Sequence, residues 1–128
     1  MRLIRLANPL VRAVLRSRLH ALLSHRLLLL GYRGGRSGRS YEIPLRYAEL
    51  SDGQLVVVAL RPNRKLWWRS VTESAPVSIV LRGDRRTGTA NLAKGPERAA
   101  ALGAYAGGSG RIARVARDAA VVVVTLAR

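Results

Sequence analysis

The stretch Gly31–Leu45, GYRGGRSGRSYEIPL, holds the residues best suited to gripping a ligand. Gly31, Gly34, Gly35 and Gly38 are interleaved with Arg33, Arg36 and Arg39, and Ser37 and Ser40 stand between them. Glycine lets backbone N–H groups turn inward and lets a ligand come close. Successive N–H groups in such a turn form an anion-binding concavity. Arginine adds a planar fork of donors that matches phosphate or carboxylate. The apolar run Leu27–Leu30 enters the stretch and an alternating segment with Pro44 leaves it. The pattern is that of an oxyanion cradle between two strands. Spacing alone leaves open the plainer alternative, a solvated basic hairpin turn. A P-loop is excluded because no Gly-Lys-Ser/Thr follows at the required distance. A dinucleotide-binding fingerprint is excluded because the next segment alternates instead of continuing as a helix.

Other chemistries find little support. The chain has no Cys, so it has no thiolate nucleophile, disulfide framework or Cys-based metal site. His20 and His25 sit in an Arg/Leu-rich segment without carboxylates in a ligand pattern, and no metal is expected there. The acids Glu42, Glu49, Asp52, Glu73, Asp84, Glu97 and Asp118 are scattered, with no carboxylate pair and no nucleophile–base–acid set. A hydrolase is therefore disfavoured. A net charge of +16 on 128 residues favours polyanionic partners: nucleic acid, anionic lipid or a phosphorylated small molecule. A nucleic-acid-binding module would bind with strong salt dependence. At 5% aromatic residues the chain offers no usual stacking platform, and no recognition motif is present, so nucleic acid is the less favoured partner.

These residues need a scaffold. Residues 1–26 have the pattern of a basic amphipathic helix, with Arg2, Arg5, Arg12 and Arg16 on one arc and Leu3, Leu6, Leu10, Val11, Val14 and Leu15 on the other. Asn8-Pro9 suits a helix start. Such a helix either packs on the domain or lies on an anionic membrane surface. Strands are expected at Leu27–Tyr32, Tyr41–Leu50, Gln54–Leu60, Ala75–Arg82, Arg85–Leu92 and Ala119–Leu126, with hairpin signals at Ser51-Asp52-Gly53 and Gly83-Asp84. Lys65–Thr72 has the look of a short helix carrying Trp67 and Trp68. Gly95-Pro96-Glu97 opens a helix to about Ala106, and Arg111–Arg117 adds a further turn or two. The expected fold is α+β: about six mostly antiparallel strands in a small β-barrel, with flanking helices, as one domain over 1–128. No apolar run approaches the roughly 20 residues of a membrane-spanning helix. Arg12, Arg16 and Arg18 break up any signal-peptide core. A cytoplasmic protein is expected, with peripheral contact at the inner face of the membrane as the membrane-bound option. The apolar C-terminal strand is a candidate homodimer interface.

The order of these features resembles the deazaflavin (F420)-dependent nitroreductase family, within the split β-barrel flavin-binding superfamily. Gly34-Gly35-Arg36-Ser37-Gly38-Arg39 with Pro44-Leu45, then Trp67-Trp68-Arg69-Ser70-Val71 after a strand and loop, then Ala75-Pro76-Val77 carry the likeness. The resemblance covers about Pro9 to Leu92 and more weakly the remainder. It differs from the common pattern at Tyr41, Lys65 and Ser70. It implies hydride transfer from reduced coenzyme F420 to a small organic acceptor such as a quinone or nitro compound, with the cofactor supplying the chemistry and the protein supplying binding and orientation. It implies Arg36, Ser37, Gly38 and Arg39 as phosphate binders beside Pro44. It implies Ala59, Arg61, Asn63, Arg64 and Lys65 along the deazaflavin, with Trp67, Trp68 and Ser70 near it. The alternative within the superfamily is a split barrel that binds another flavin (FMN) or haem without this activity.

Overall fold

The computed structural model describes residues 27–34, 38–60, 62 and 66–127; the expected N-terminal helix lies outside the described residues. Seven strands are present: β1 (Leu27–Arg33), β2 (Ser40–Arg46), β3 (Ala48–Ser51), β4 (Gln54–Ala59), β5 (Ala75–Leu81), β6 (Asp84–Leu92) and β7 (Ala120–Leu126). A 3₁₀ helix, Leu66–Ser70, follows β4, and two α-helices, α1 (Gly95–Ala106) and α2 (Gly110–Val115), separate β6 from β7. Pro96 and Glu97 open α1, and Gly107 closes it in the left-handed conformation (φ 59°), its N–H donating to the Gly103 carbonyl. Ser109 caps α2 by accepting from the Ile112 N–H.

One expected strand proves to be two. The segment Tyr41–Leu50 breaks at Tyr47: β2 pairs with β1, whereas β3 pairs with β4. The sheet order is β2-β1-β5-β6-β7-β4-β3, so β2 and β3 form its opposite edges, and every pairing is antiparallel. Laid flat, seven strands would separate those edges by about 29 Å. A single residue joins them, which allows at most about 7 Å between the flanking Cα atoms. The sheet must therefore curl until its edges meet at Tyr47. This topology agrees with the expected barrel-like α+β fold.

Curling gives the sheet an inside and an outside. Leu28, Leu30, Tyr47, Leu55, Val57, Val77, Ile79, Ala90, Val122 and Val124 fill the inside, closed at one end by Val71. Outside, α1 lies over β3, β4 and β7 with α2 packed against it, burying Val56, Val58, Ala101, Tyr105, Val121 and Val123. β7 lies between β6 and β4 with Ala120–Val124 buried throughout. Its apolar run is core, which corrects the expectation of a C-terminal interface strand: an edge would be needed to pair with a second copy, and β7 has none.

Candidate functional site

Strand register brings the expected site residues to one rim. Arg33 pairs with Ser40 at the end of the β1–β2 hairpin. Gly31 pairs with Ser78, so β5 begins at the same rim, and Ala75 pairs with Ala90 near the end of β6. Leu92 pairs with Val122, and Ala59 ends β4 opposite Ala120. The hairpin loop after Arg33, the end of β4, Pro62 and the Trp-bearing 3₁₀ helix thus gather at one mouth of the curled sheet.

The hairpin loop is closed internally. Gly34 donates its N–H to the Arg39 carbonyl at 2.8 Å, and Gly38 donates to the Gly34 carbonyl at 2.9 Å. Gly38 has φ 66°, a left-handed conformation that glycine adopts without a side-chain penalty, and open space lies where a Cβ would stand. The Gly34 and Gly38 N–H groups are thereby spent on the loop itself. The side chains of Arg33 and Arg39, on either side of the loop, are exposed. Below the loop, Tyr32 and Tyr41 are cross-strand partners whose rings stack at 5.4 Å between centroids and 18° between planes. Both stand on the inward face, so the stack forms the wall of the mouth beneath the arginines. Tyr41, a departure from the common family pattern, has thus been given an aromatic partner.

The opposite wall is the 3₁₀ helix. Trp67 and Trp68 are half-buried against the inner core, and Val71 behind them is fully buried. The Trp68 indole N–H donates to the Pro62 carbonyl at 2.9 Å, which ties the β4 exit loop to the helix. Arg69 lies over the Trp68 ring at 5.6 Å. Ser70 is half-buried at the helix end. Ala59, buried at the last position of β4, keeps the floor of the mouth low.

Gly38, Arg39, Ala59, Trp67, Trp68 and Ser70 therefore share the rim. Pro44 does not: it lies four residues down β2, about 13 Å from Ser40, opposite Leu29 on the outer face. Its missing N–H is tolerated because β2 is an edge strand. Arg36, Ser37, Arg61, Asn63, Arg64 and Lys65 lie outside the described residues. The Tyr32–Tyr41 stack was not among the expected site residues. Its sequence signal is that the two tyrosines flank the glycine-rich turn at matched distances, which the Arg33–Ser40 pair turns into a cross-strand contact. An open cleft of about 440 Å³ lies beside the start of α1, lined by Thr72, Glu73, Asn91, Leu92, Lys94 and Glu97. Two carboxylates and one lysine line it, whereas the hairpin side of the rim carries exposed arginines. Among the described residues no helix is long and apolar enough to cross a membrane, and no cluster of His, Cys, Asp or Glu could hold a metal ion.

Known proteins with this architecture include a structure titled F420-H2 Dependent Reductase (FDR-A), with a TM-score of 0.64 at 21% identity over 77% of this chain and 93% of that one. A structure described as a domain-swapped dimer matches with a TM-score of 0.67 at 20% identity over 90% and 93%. HutZ, the heme storage protein from Vibrio cholerae, matches with a TM-score of 0.59 at 14% identity over 100% and 92%. At these identities the likeness carries the fold alone. No curated protein sequence matches the chain. The model of the F420H(2)-dependent quinone reductase family matches residues 5–125, which takes in the hairpin, the Trp helix and all seven strands but for the last residue of β7. The chain belongs to the F420H(2)-dependent quinone reductase family, and coenzyme F420 is the cofactor that membership assigns to it.

Proposed function

We propose that the rim is where coenzyme F420 is held and that the reduced cofactor reduces a small organic acceptor, a quinone or a nitro compound. The observation that carries this reading is the meeting, at one mouth, of a Gly/Arg hairpin and a Trp-bearing helix. The residues suit the group. Exposed Arg33 and Arg39 match a phosphate and an acidic tail, and the left-handed Gly38 leaves open space beside them. Ala59 and the half-buried tryptophans offer a low, apolar floor and wall for a flat ring.

The coenzyme, when bound, supplies the hydride. The chain supplies orientation and exclusion of water. Arg33 and Arg39, with Arg36, Ser37 and Gly38, hold the anionic end at the hairpin. Trp67, Trp68 and Ser70 on one side and the Tyr32–Tyr41 stack on the other bound the space left for an acceptor ring. Arg61, Asn63, Arg64 and Lys65, the sequence neighbours of Pro62, complete the set of ring-binding residues in this reading. The match to a domain-swapped dimer supports pairing of two copies, which light scattering reads directly.

The test is a titration of the purified chain with oxidised coenzyme F420, followed by Trp67/Trp68 fluorescence, with FMN and haemin in parallel. Saturable deazaflavin binding that weakens at least tenfold in Arg39→Gln and more steeply with added salt is expected. Turnover is then read as oxidation of the reduced coenzyme with a short-chain menaquinone or a nitroaromatic. Preferential binding of FMN or haemin would overturn the cofactor placement. Tight F420 binding without turnover on either acceptor would overturn the acceptor class alone.

A further inference from the structure

The five residues Leu66–Ser70 make little more than one turn of 3₁₀ helix, too short to hold a position by their own hydrogen bonds. Where Trp67, Trp68 and Ser70 stand is therefore set by what grips the helix from outside. On one side the Trp68 indole is tied to Pro62. At the C-terminal end Val71 is fully buried and donates its N–H to the Trp68 carbonyl at 3.1 Å. The chain then turns through Thr72, Glu73 and Ser74 into β5.

That turn is held by the end of β6. Leu92 donates its N–H to the Thr72 carbonyl at 2.9 Å. The Ala75–Ala90 pair brings Ser74 beside Asn91. Ser74 donates its N–H to the Asn91 side chain, whose Oδ1 accepts at 2.7 Å, and the Ser74 hydroxyl lies 3.5 Å from the same oxygen. An N–H can only donate, so the short contact fixes the orientation of the amide. Asn91 is well placed as an anchor, because its backbone is paired with Val123 of β7. Ser74 has φ 44°, and among the described residues one other non-glycine has a positive φ, Arg82 at 52°. Arg82 and Gly83 form the two-residue loop closed by the Leu81–Asp84 pair, where both central residues of a type I′ turn need that conformation. Ser74 belongs to no such hairpin. A residue with a side chain keeps a left-handed conformation there only where its surroundings impose it, and here the Asn91 oxygen receives the N–H that this φ turns toward it.

We propose that Asn91 is a positioning residue for the Trp helix: by accepting the Ser74 N–H it holds the left-handed turn that sets how Trp67, Trp68 and Ser70 meet the rim. Its effect on the reaction rests on the placement of coenzyme F420 at that rim. With the bond gone, Ser74 relaxes toward negative φ and the turn redirects the helix from its C-terminal end. Displacements of about 1 Å in the groups that orient reactants are enough to slow a reaction, so a shifted wall lowers turnover even where binding survives.

The chain's two tryptophans both stand on this helix, so the emission of the unliganded protein reports the helix alone. The test compares variants of the full chain at a temperature where far-ultraviolet circular dichroism shows each to be folded. In Asn91→Ala the emission should move to the red and acrylamide should quench it more strongly. In the same variant kcat/KM for oxidation of reduced F420 with a short-chain menaquinone should fall about 10- to 100-fold, with the larger part in kcat. Asn91→Asp keeps the accepting oxygen and should behave as wild type. Ser74→Ala keeps the N–H and should do the same. Ser74→Gly added to Asn91→Ala should recover most of the emission and of the activity, because glycine adopts positive φ without the amide's help. Emission that shifts and is rescued in this way while F420 binding and turnover stay unaltered would uphold the positioning role and move the coenzyme's ring away from the helix, so the two readings fail separately. A lowered thermal midpoint in Asn91→Ala with emission, quenching and kcat/KM all unchanged would overturn the proposal, because the bond would then serve stability alone. A loss that Ser74→Gly does not recover would overturn it too, giving Asn91 a direct role in the cleft it lines.

Discussion

The Trp68 indole N–H is the described link between the β4 exit loop and the Trp helix, and Trp68→Phe removes it while keeping an aromatic ring in place. The bond is 2.9 Å long and partly buried. A neutral hydrogen bond of this kind contributes about 1 kcal/mol net, and the Pro62 carbonyl left behind adds a desolvation cost limited by its partial exposure. The contact of Arg69 with the ring, at 5.6 Å, is worth about 0.5 kcal/mol at an exposed site and weakens with the smaller ring. The expected loss is about 2 kcal/mol. If the loop carrying Arg61, Asn63, Arg64 and Lys65 contributes to binding, most of that loss appears as affinity, since about 1.4 kcal/mol is tenfold. The dissociation constant for F420, read from the coenzyme's own fluorescence, should rise about 10- to 30-fold. Trp67→Phe leaves the Pro62 bond intact and is the matched control, with a much smaller rise. A thermal midpoint that falls in Trp68→Phe while F420 affinity stays within twofold would refute the reasoning, because it would show the tie to be structural and the loop irrelevant to the ligand.

Two further predictions concern the scaffold. A Cβ on Gly31 would overlap the Ser78 hydroxyl, so Gly31→Ala should cost about 1–3 kcal/mol in urea unfolding, and Ser78→Ala in the same chain should restore most of it. Gly88→Ala should cost as much without any such rescue, because the atom in the way, at 2.6 Å, is the Thr125 backbone carbonyl. Arg98 donates to the carbonyls of Arg117 and Ala119 at 2.8 Å each, joining α1 to the entry of β7; Arg98→Ala should lose about 1–2 kcal/mol by the same measurement, and an unchanged midpoint would refute that role.

How far the sequence was legible follows from what periodicity encodes. Alternation and turn residues marked the described strands to within a few positions, because a strand's side-chain period and a Gly-containing turn are local properties. Exchange of partners is not local. Ile43, Leu45 and Tyr47 continue one inward alternation straight through the break between β2 and β3, so nothing in the pattern shows that the chain leaves one edge of the sheet and joins the other. That exchange closes the curl and raises the strand number from about six to seven. The site was legible as a set of residue types around two turns. Their meeting at one rim required the register that pairs Arg33 with Ser40 and Ala59 with Ala120, and the same register revealed the Tyr32–Tyr41 wall.

Glu42 marks the limit most clearly. In an alternating strand, an acid between Tyr41 and Ile43 has the pattern of an outward, solvated position, and outward it is. Period-two alternation assigns a residue to a face but says nothing of what covers that face. Leu29, Val80 and Glu42 are all buried, although their register puts them on the outer face of the sheet, so burial here is not something alternation could have shown.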